Sequence, residues 1–135
     1  MIAKLRYLFN SKTRQDMMSL CSADQEVCGY ILPDGNCGGS VHLVTNIASD
    51  PANYFEMDNW SVRHLCITIP DNDLVFWHSH PVSRPIPSKE DIDFIQRTAR
   101  PHVIIGFRPF PMICLYGFEG KRIVQLEKVK EEKSC

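Results

Sequence analysis

Two histidines two residues apart, His78 and His80, end the apolar run Leu74 to Trp77. In an extended chain that spacing puts both imidazoles on one face. Pro81 disfavours helix at His80 and keeps it extended. Two imidazoles side by side at a strand end form half of a divalent metal site. Asp91 offers a carboxylate as third ligand, and two histidines plus one carboxylate, with a position left for water, is a plan on which catalytic zinc sites are built. A His-x-His pair alone is a weak signal. The joint spacing strengthens it, with seven residues between His80 and Ser88 and two between Ser88 and Asp91. Ser88 to Asp91 also reads as a helix start, with Ser88 as cap and acidic residues in the first turn. Both readings hold together, since Asp91-Ile92-Asp93-Phe94-Ile95 continues a helical pattern.

The elements that must position these groups can be read from the flanking residues. Ser11 to about Ser22 has a helical pattern, and Val27 to Leu32 is an apolar strand closed by the turn residues Pro33-Asp34-Gly35-Asn36. Gly39 to Ala48 alternates as a second strand of a hairpin, with Val41, Leu43 and Thr45 on one face. Asp58 or Asn59 caps a helix to about Cys66, and Ile69 to Asp73 turns into the strand at 74–80. Val82 to Pro87 carries two prolines and is irregular; its task is to return Asp91 over the strand end. Ser88 to about Arg100 is a helix stopped by Pro101. Three strands follow, at His102 to Arg108, Met112 to Phe118 and Arg122 to Val129, with a last turn at Gly117 to Gly120. Residues 1–9 read as a strand or first helical turns, and residues 129–135 as a charged tail beyond a domain at 1–128. A single α/β (α+β) domain follows, a mixed sheet flanked by helices.

The pattern His78-x-His80-Pro81, Ser88 and Asp91 resembles the JAMM motif of the JAB/MPN/Mov34 zinc metallopeptidases. That family adds an upstream glutamate before a Cys-Gly and a short apolar strand, and Glu26-Val27-Cys28-Gly29-Tyr30-Ile31-Leu32 fits. Asn53 to Asp58 is similar to the family's segment leading into its second helix. The resemblance covers roughly residues 15–117. It implies a curved sheet between helices in the cytidine-deaminase-like arrangement, a topology that the pattern alone does not supply. It also implies one Zn2+ per chain on His78, His80 and Asp91. Such an ion lowers the pKa of its water from 15.7 to roughly 7. Glu26 is then expected as the base that takes the water's proton and the acid that protonates the leaving amine. Ser88 is expected to steady the tetrahedral oxyanion with its hydroxyl.

Composition excludes other classes. The 135 residues suffice for one domain with a real core, and 44% hydrophobic with 23% charged residues is ordinary for a soluble protein. A net charge of −1 argues against nucleic acid as a partner. No apolar run approaches the ~20 residues of a membrane span, and the start lacks a secretion signal, so a cytoplasmic protein is expected. Six cysteines without a Cys-x-x-Cys pair are expected as reduced thiols, Cys28 and Cys114 buried, Cys135 exposed. His42 and His64 are given surface or packing roles, and His102, which opens a strand after Pro101, is assigned no chemistry. Trp77 is expected in the core opposite His78, and Trp60 as a partner contact or a packing residue.

The function expected is a zinc-dependent peptidase or isopeptidase. The resemblance implies cleavage after the C-terminal glycine of a ubiquitin-like or sulfur-carrier protein, bound as an extended tail in a groove bordered by a sheet edge. At this length a minimal prokaryotic or phage-type form is expected. The alternative is a phage tail assembly protein, with a phage structural protein as partner, or an MPN-type interaction scaffold. Scaffold members lose the ligands, whereas here His78, His80, Asp91 and Glu26 are all in place. A zinc deaminase needs a Pro-Cys-x-x-Cys pair that the chain lacks.

Overall fold

Two runs, Val75–His80 and His102–Gly106, are buried at every position. A near-continuous apolar strand of this kind belongs in the middle of a sheet covered on both faces. The computed structural model describes residues 10–34 and 38–129. In chain order they form α1 (Ser11–Leu20), β1 (Cys28–Pro33), β2 (Gly39–Val44), α2 (Asn59–Thr68) and a short 3-10 turn at Asp71–Asp73. Then come β3 (Val75–His80), α3 (Lys89–Thr98), β4 (His102–Gly106), β5 (Met112–Glu119) and β6 (Arg122–Val129). The strands make one sheet in the order β2-β1-β3-β4-β5-β6. Only β3 and β4 run parallel, joined through α3, and every other pairing is antiparallel. The expected mixed sheet with flanking helices is therefore present as one α/β domain.

Strand parity sorts the side chains. Val75 and Trp77 point to one face, where they pack with Ile31, Val103, Ile105 and Met17 of α1. Leu74 and Phe76 point to the other, against Cys28, Phe55, Met57 and Phe94 of α3. Trp77 is fully buried on the face opposite His78, as expected. Each of these three α-helices starts on a side-chain cap: Asn10 accepts from Thr13 N, Asp58 from Trp60 N and Ser61 N, and Ser88 from Asp91 N.

The Cys-Gly signature has a steric cause. Gly29 pairs with Trp77 across β1 and β3, and Trp77 Nε1 donates to His42 O at 3.2 Å. A Cβ at Gly29 would fall inside that carbonyl oxygen and 2.9 Å from Trp77 Nε1. Because backbone must move to relieve it, Gly29→Ala is expected to cost about 3 kcal/mol, the upper end for overpacking. Urea unfolding measures this, and an unchanged midpoint would refute the account.

Several boundaries differ from expectation. β4 stops at Gly106, because Phe107 N leaves the ladder to donate to Ser83 O at 3.0 Å. β5 runs on through Glu119, so the last turn lies at Gly120 (φ 63°) and Lys121. α3 ends at Thr98, with Ala99 left-handed at φ 52° before Pro101. Leu43 is 50% exposed because β2 is an edge strand. Trp60 is 72% exposed and stacks on His64 of its own helix. His42 stacks on Tyr30, a packing role as expected. The expectations for residues 1–9, for Gly35 to Cys37 and for 130–135 lie outside the described residues.

Candidate metal centre and active site

The parity that buries Phe76 also turns His78 and His80 toward α3, at the C-terminal end of a central strand. The return from β3 to α3 is pinned along its length. His80 Nδ1 donates to Arg84 O at 2.7 Å, and Tyr116 Oη donates to Pro85 O at 2.6 Å. Gly106 admits Pro85, which any Cβ there would meet. The chain therefore delivers the first turn of α3 over the strand end, where Ser88 and Asp91 form a reciprocal cap. Ser88 N donates to Asp91 Oδ2 at 2.9 Å and Asp91 N to Ser88 Oγ at 3.2 Å.

Glu26 arrives from the other direction and is fixed through its backbone. Its N–H donates to Pro51 O at 2.7 Å, and Asn46 Nδ2 donates to its carbonyl at 2.9 Å. Ser79, the residue between the two histidines, takes the next position: Val27 N donates to Ser79 Oγ at 3.0 Å and Ser79 N to Val27 O at 2.9 Å. One strand end thus presents two imidazoles on one side and anchors the glutamate segment with the residue between them.

The result is a buried group of Glu26, His78, His80 and Asp91, each offering one ligand atom, all within 4.8 Å of one another. His78 Nε2, His80 Nε2 and Asp91 Oδ2 form a triangle with all three sides 3.0 Å. Ligand atoms around a tetrahedral ion at 2.0–2.2 Å sit about 3.3 Å apart, so the three need little movement to take one. The hydrogen bonding points the same way. A carbonyl only accepts, so the bond to Arg84 O places a proton on His80 Nδ1. A neutral His80 then turns a lone pair, not an N–H, toward Asp91. Acceptors converging in this way need a cation between them, a proton or a metal ion, and the donor set fits a divalent metal.

Burial governs the electrostatics. Burial alone would raise the Asp91 carboxyl, but where a proton occupies the place between it and the imidazoles, hydrogen bonds from His78 and His80 outweigh burial and hold it well below the usual carboxylate range. Burial lowers His78 despite Asp91. For His80 burial is outweighed by the bonds to Asp91 and the Arg84 carbonyl, and its pKa rises. Glu26 is the exception among the carboxyls: burial pushes it up to about 7, and its Oε1 has no hydrogen-bond partner among the described residues. A buried carboxyl poised near neutrality is suited to passing protons.

The model of the prokaryotic homologues of the JAB domain matches residues 12–114, most of the chain. The chain belongs to that family. A curated relative of this JAB-domain protein is a desampylase from Haloferax volcanii, 34% identical over 71 residues, covering 49% of this chain and 51% of the relative. The chain thus matches about half the length of that protein. The solution structure of a protein from Desulfitobacterium hafniense superposes with a TM-score of 0.61 at 22% identity, covering 91% of this chain and 92% of the other, a likeness of fold.

All five residues expected at the site of this JAB domain lie together. Glu26, His80 and Ser88 line a cavity of about 480 Å³, which Asn53, Arg84 and Arg108 help to wall, while His78 and Asp91 lie beneath. The cavity is bordered by the 83–86 loop, and neither edge strand, β2 or β6, contributes to its lining. Cys66 lies outside the ligand group, and the four described cysteines, Cys21, Cys28, Cys66 and Cys114, are free thiols. Cys28 and Cys114 are buried as expected, and Cys37 and Cys135 lie outside the described residues.

Three residues at this site have roles that sequence reasoning missed. Asn46 ties the Glu26 segment to the 54–56 segment: its amide nitrogen donates to Glu26 O and Tyr54 O, and its oxygen accepts from Ala48 N and Glu56 N. Phe55 tilts over the His78 ring at 4.3 Å. His102, read as without chemistry, is fully buried with Nε2 2.6 Å from His78 Nδ1. A histidine opening an apolar run was the available signal, but its place beside the histidine-bearing strand was not legible.

Proposed function

We propose that the protein is a zinc-dependent isopeptidase or peptidase that cuts after the C-terminal glycine of a ubiquitin-like or sulfur-carrier protein. The observation that carries this reading is the pairing of a converged His78–His80–Asp91 acceptor set with a buried, unpartnered Glu26 carboxyl oxygen beside it. Zinc held by His78, His80 and Asp91 supplies Lewis-acid activation of water, lowering its pKa from 15.7 to roughly 7.

The chain's own residues do the remainder. Glu26, held by its backbone bonds to Pro51 and Asn46, takes a proton as water oxygen attacks the scissile carbonyl. It returns that proton to the amine nitrogen as the C–N bond breaks. Ser88 Oγ, at the cavity wall, donates to the oxyanion while its oxygen continues to accept from Asp91 N. The cap and the catalytic task use different valences of one hydroxyl. Kinship with a desampylase supports the isopeptidase class, and the retention of all four converging side chains favours an enzyme over a scaffold.

The substrate enters by the loop-walled cavity. A second cup of about 370 Å³, lined by Pro109, Phe110, Met112 and Tyr116, shares Arg84, Ile86 and Arg108 with the first. An extended tail would run along this shared wall, and small terminal residues let its backbone approach the catalytic groups closely. Cleavage is therefore expected for a linear fusion of a ubiquitin-like protein ending in Gly-Gly, followed by gel shift and mass spectrometry. Replacing the last glycine by phenylalanine is expected to lower kcat/KM by at least ~100-fold, about 2.7 kcal/mol of lost transition-state binding. Equal cleavage of both fusions would sink the specificity reading.

A further inference from the structure

Behind the cavity-facing edge of His78 lies an imidazole that this chemistry leaves without a task. His102 opens β4, where it pairs with Phe76 while Ile104 pairs with His78. It thus sits on the His78 face of the sheet, one step diagonally behind. Phe55 spans both rings, 4.3 Å from the His78 centroid and 5.9 Å from that of His102, and Phe94 meets His102 edge-on at 5.5 Å. Within this apolar enclosure His102 makes one polar side-chain contact among the described residues, Nε2 to His78 Nδ1 at 2.6 Å. Its Nδ1 is buried without a partner among the described residues.

Two ring nitrogens in hydrogen-bond contact need one donor and one acceptor. When His78 offers the Nε2 lone pair to an ion, its remaining proton lies on Nδ1, so His102 Nε2 must accept. The proton of His102 then lies on the unpartnered Nδ1. Metal-ligating histidines are held in tautomer and orientation by an acceptor on the far ring nitrogen. For His80 that acceptor is the Arg84 carbonyl at 2.7 Å. For His78 no carbonyl or carboxylate among the described residues occupies the place, and His102 does.

We propose that His102 is a positioning residue of the metal centre: its Nε2 accepts the Nδ1–H of His78 and keeps His78 Nε2 aimed at His80 and Asp91. His102 is not itself a ligand, since the converging group is Glu26, His78, His80 and Asp91 and the His78 ring stands between. This rests on the metal reading proposed above.

The test uses the full chain with zinc alone. Competition with a chromogenic chelator measures zinc affinity for the wild type, His102→Phe and His102→Gln, with metal-free unfolding followed in parallel. The phenylalanine variant, similar in shape but without an acceptor, is expected to bind zinc about 10–100-fold more weakly. Glutamine, whose side-chain oxygen can accept, is expected to restore most of that loss. In the zinc-loaded wild type, long-range ¹H–¹⁵N spectra should place the His102 proton on Nδ1, a readout that requires no variant. Unchanged affinity in the phenylalanine variant overturns the proposal, as does a glutamine variant no better than it or a His102 proton on Nε2. A wild type that takes up no zinc removes the metal reading and this proposal together, and shows itself before any variant is compared.

Discussion

Glu26→Gln is expected to lower kcat by about 10²–10⁴-fold, the usual worth of general acid–base catalysis, while zinc content and folding stay close to wild type. Glutamine matches glutamate in size and leaves untouched the bonds that fix the segment, from Glu26 N to Pro51 O and from Asn46 Nδ2 to Glu26 O. It cannot accept a proton, and one residue serving two proton transfers belongs at the upper end of that range. The loss should fall on kcat more than on KM, because the carboxylate acts on the transition state. The pH profile supplies a second mark. Burial holds the Glu26 carboxyl near 7, and a bound cation draws it lower by favouring the charged form. The base is the carboxylate, so the wild-type rate falls as pH drops through that value. The variant should lack this acidic limb. A Glu26→Gln protein with wild-type turnover, or one that loses zinc as fully as His78→Ala, would move Glu26 out of the base role.

How far this site could be read before the structure depended on how local its parts are. His78, His80, Ser88 and Asp91 lie within one strand, one return and one helix start, so strand parity and capping chemistry brought them together from spacing alone. Glu26 is different. Its segment is anchored through Ser79, 52 residues away in sequence, and only resemblance to a known family pointed to it. His102 required the parallel register of β3 and β4, and that register follows from the α3 crossover. Nothing in the types or spacing of nearby residues reveals it. Asn46 was invisible for a similar reason, since its four bonds depend on two loops lying side by side. The misplaced end of β4 has a tertiary cause. Phe107 leaves the sheet to bond the 81–87 return, a tertiary demand that overrides local strand preference.

Asp91→Asn is expected to separate the metal from the fold. Asp91 Oδ2 accepts from Ser88 N at 2.9 Å and lies 3.0 Å from the Nε2 atoms of both histidines. Asparagine keeps an amide oxygen for Ser88 N, so α3 still starts on its cap, and the metal-free melting temperature should stay within a few degrees of wild type. What disappears is the negative charge that lets two neutral imidazoles and one oxygen hold a divalent cation. Zinc at 100 times its Kd stabilises the wild type by about 2.7 kcal/mol, which for a domain of this size raises Tm on the order of 10 °C. The asparagine variant should show no such rise at the same zinc concentration, and its activity should vanish with it. Glu26→Gln, by contrast, should keep the full rise while losing turnover. Differential scanning calorimetry with and without zinc, set beside the kinetic assay, resolves the two cases. If Asp91→Asn still gains the wild-type increment, the carboxylate is only a helix cap and the ion must be held by other groups.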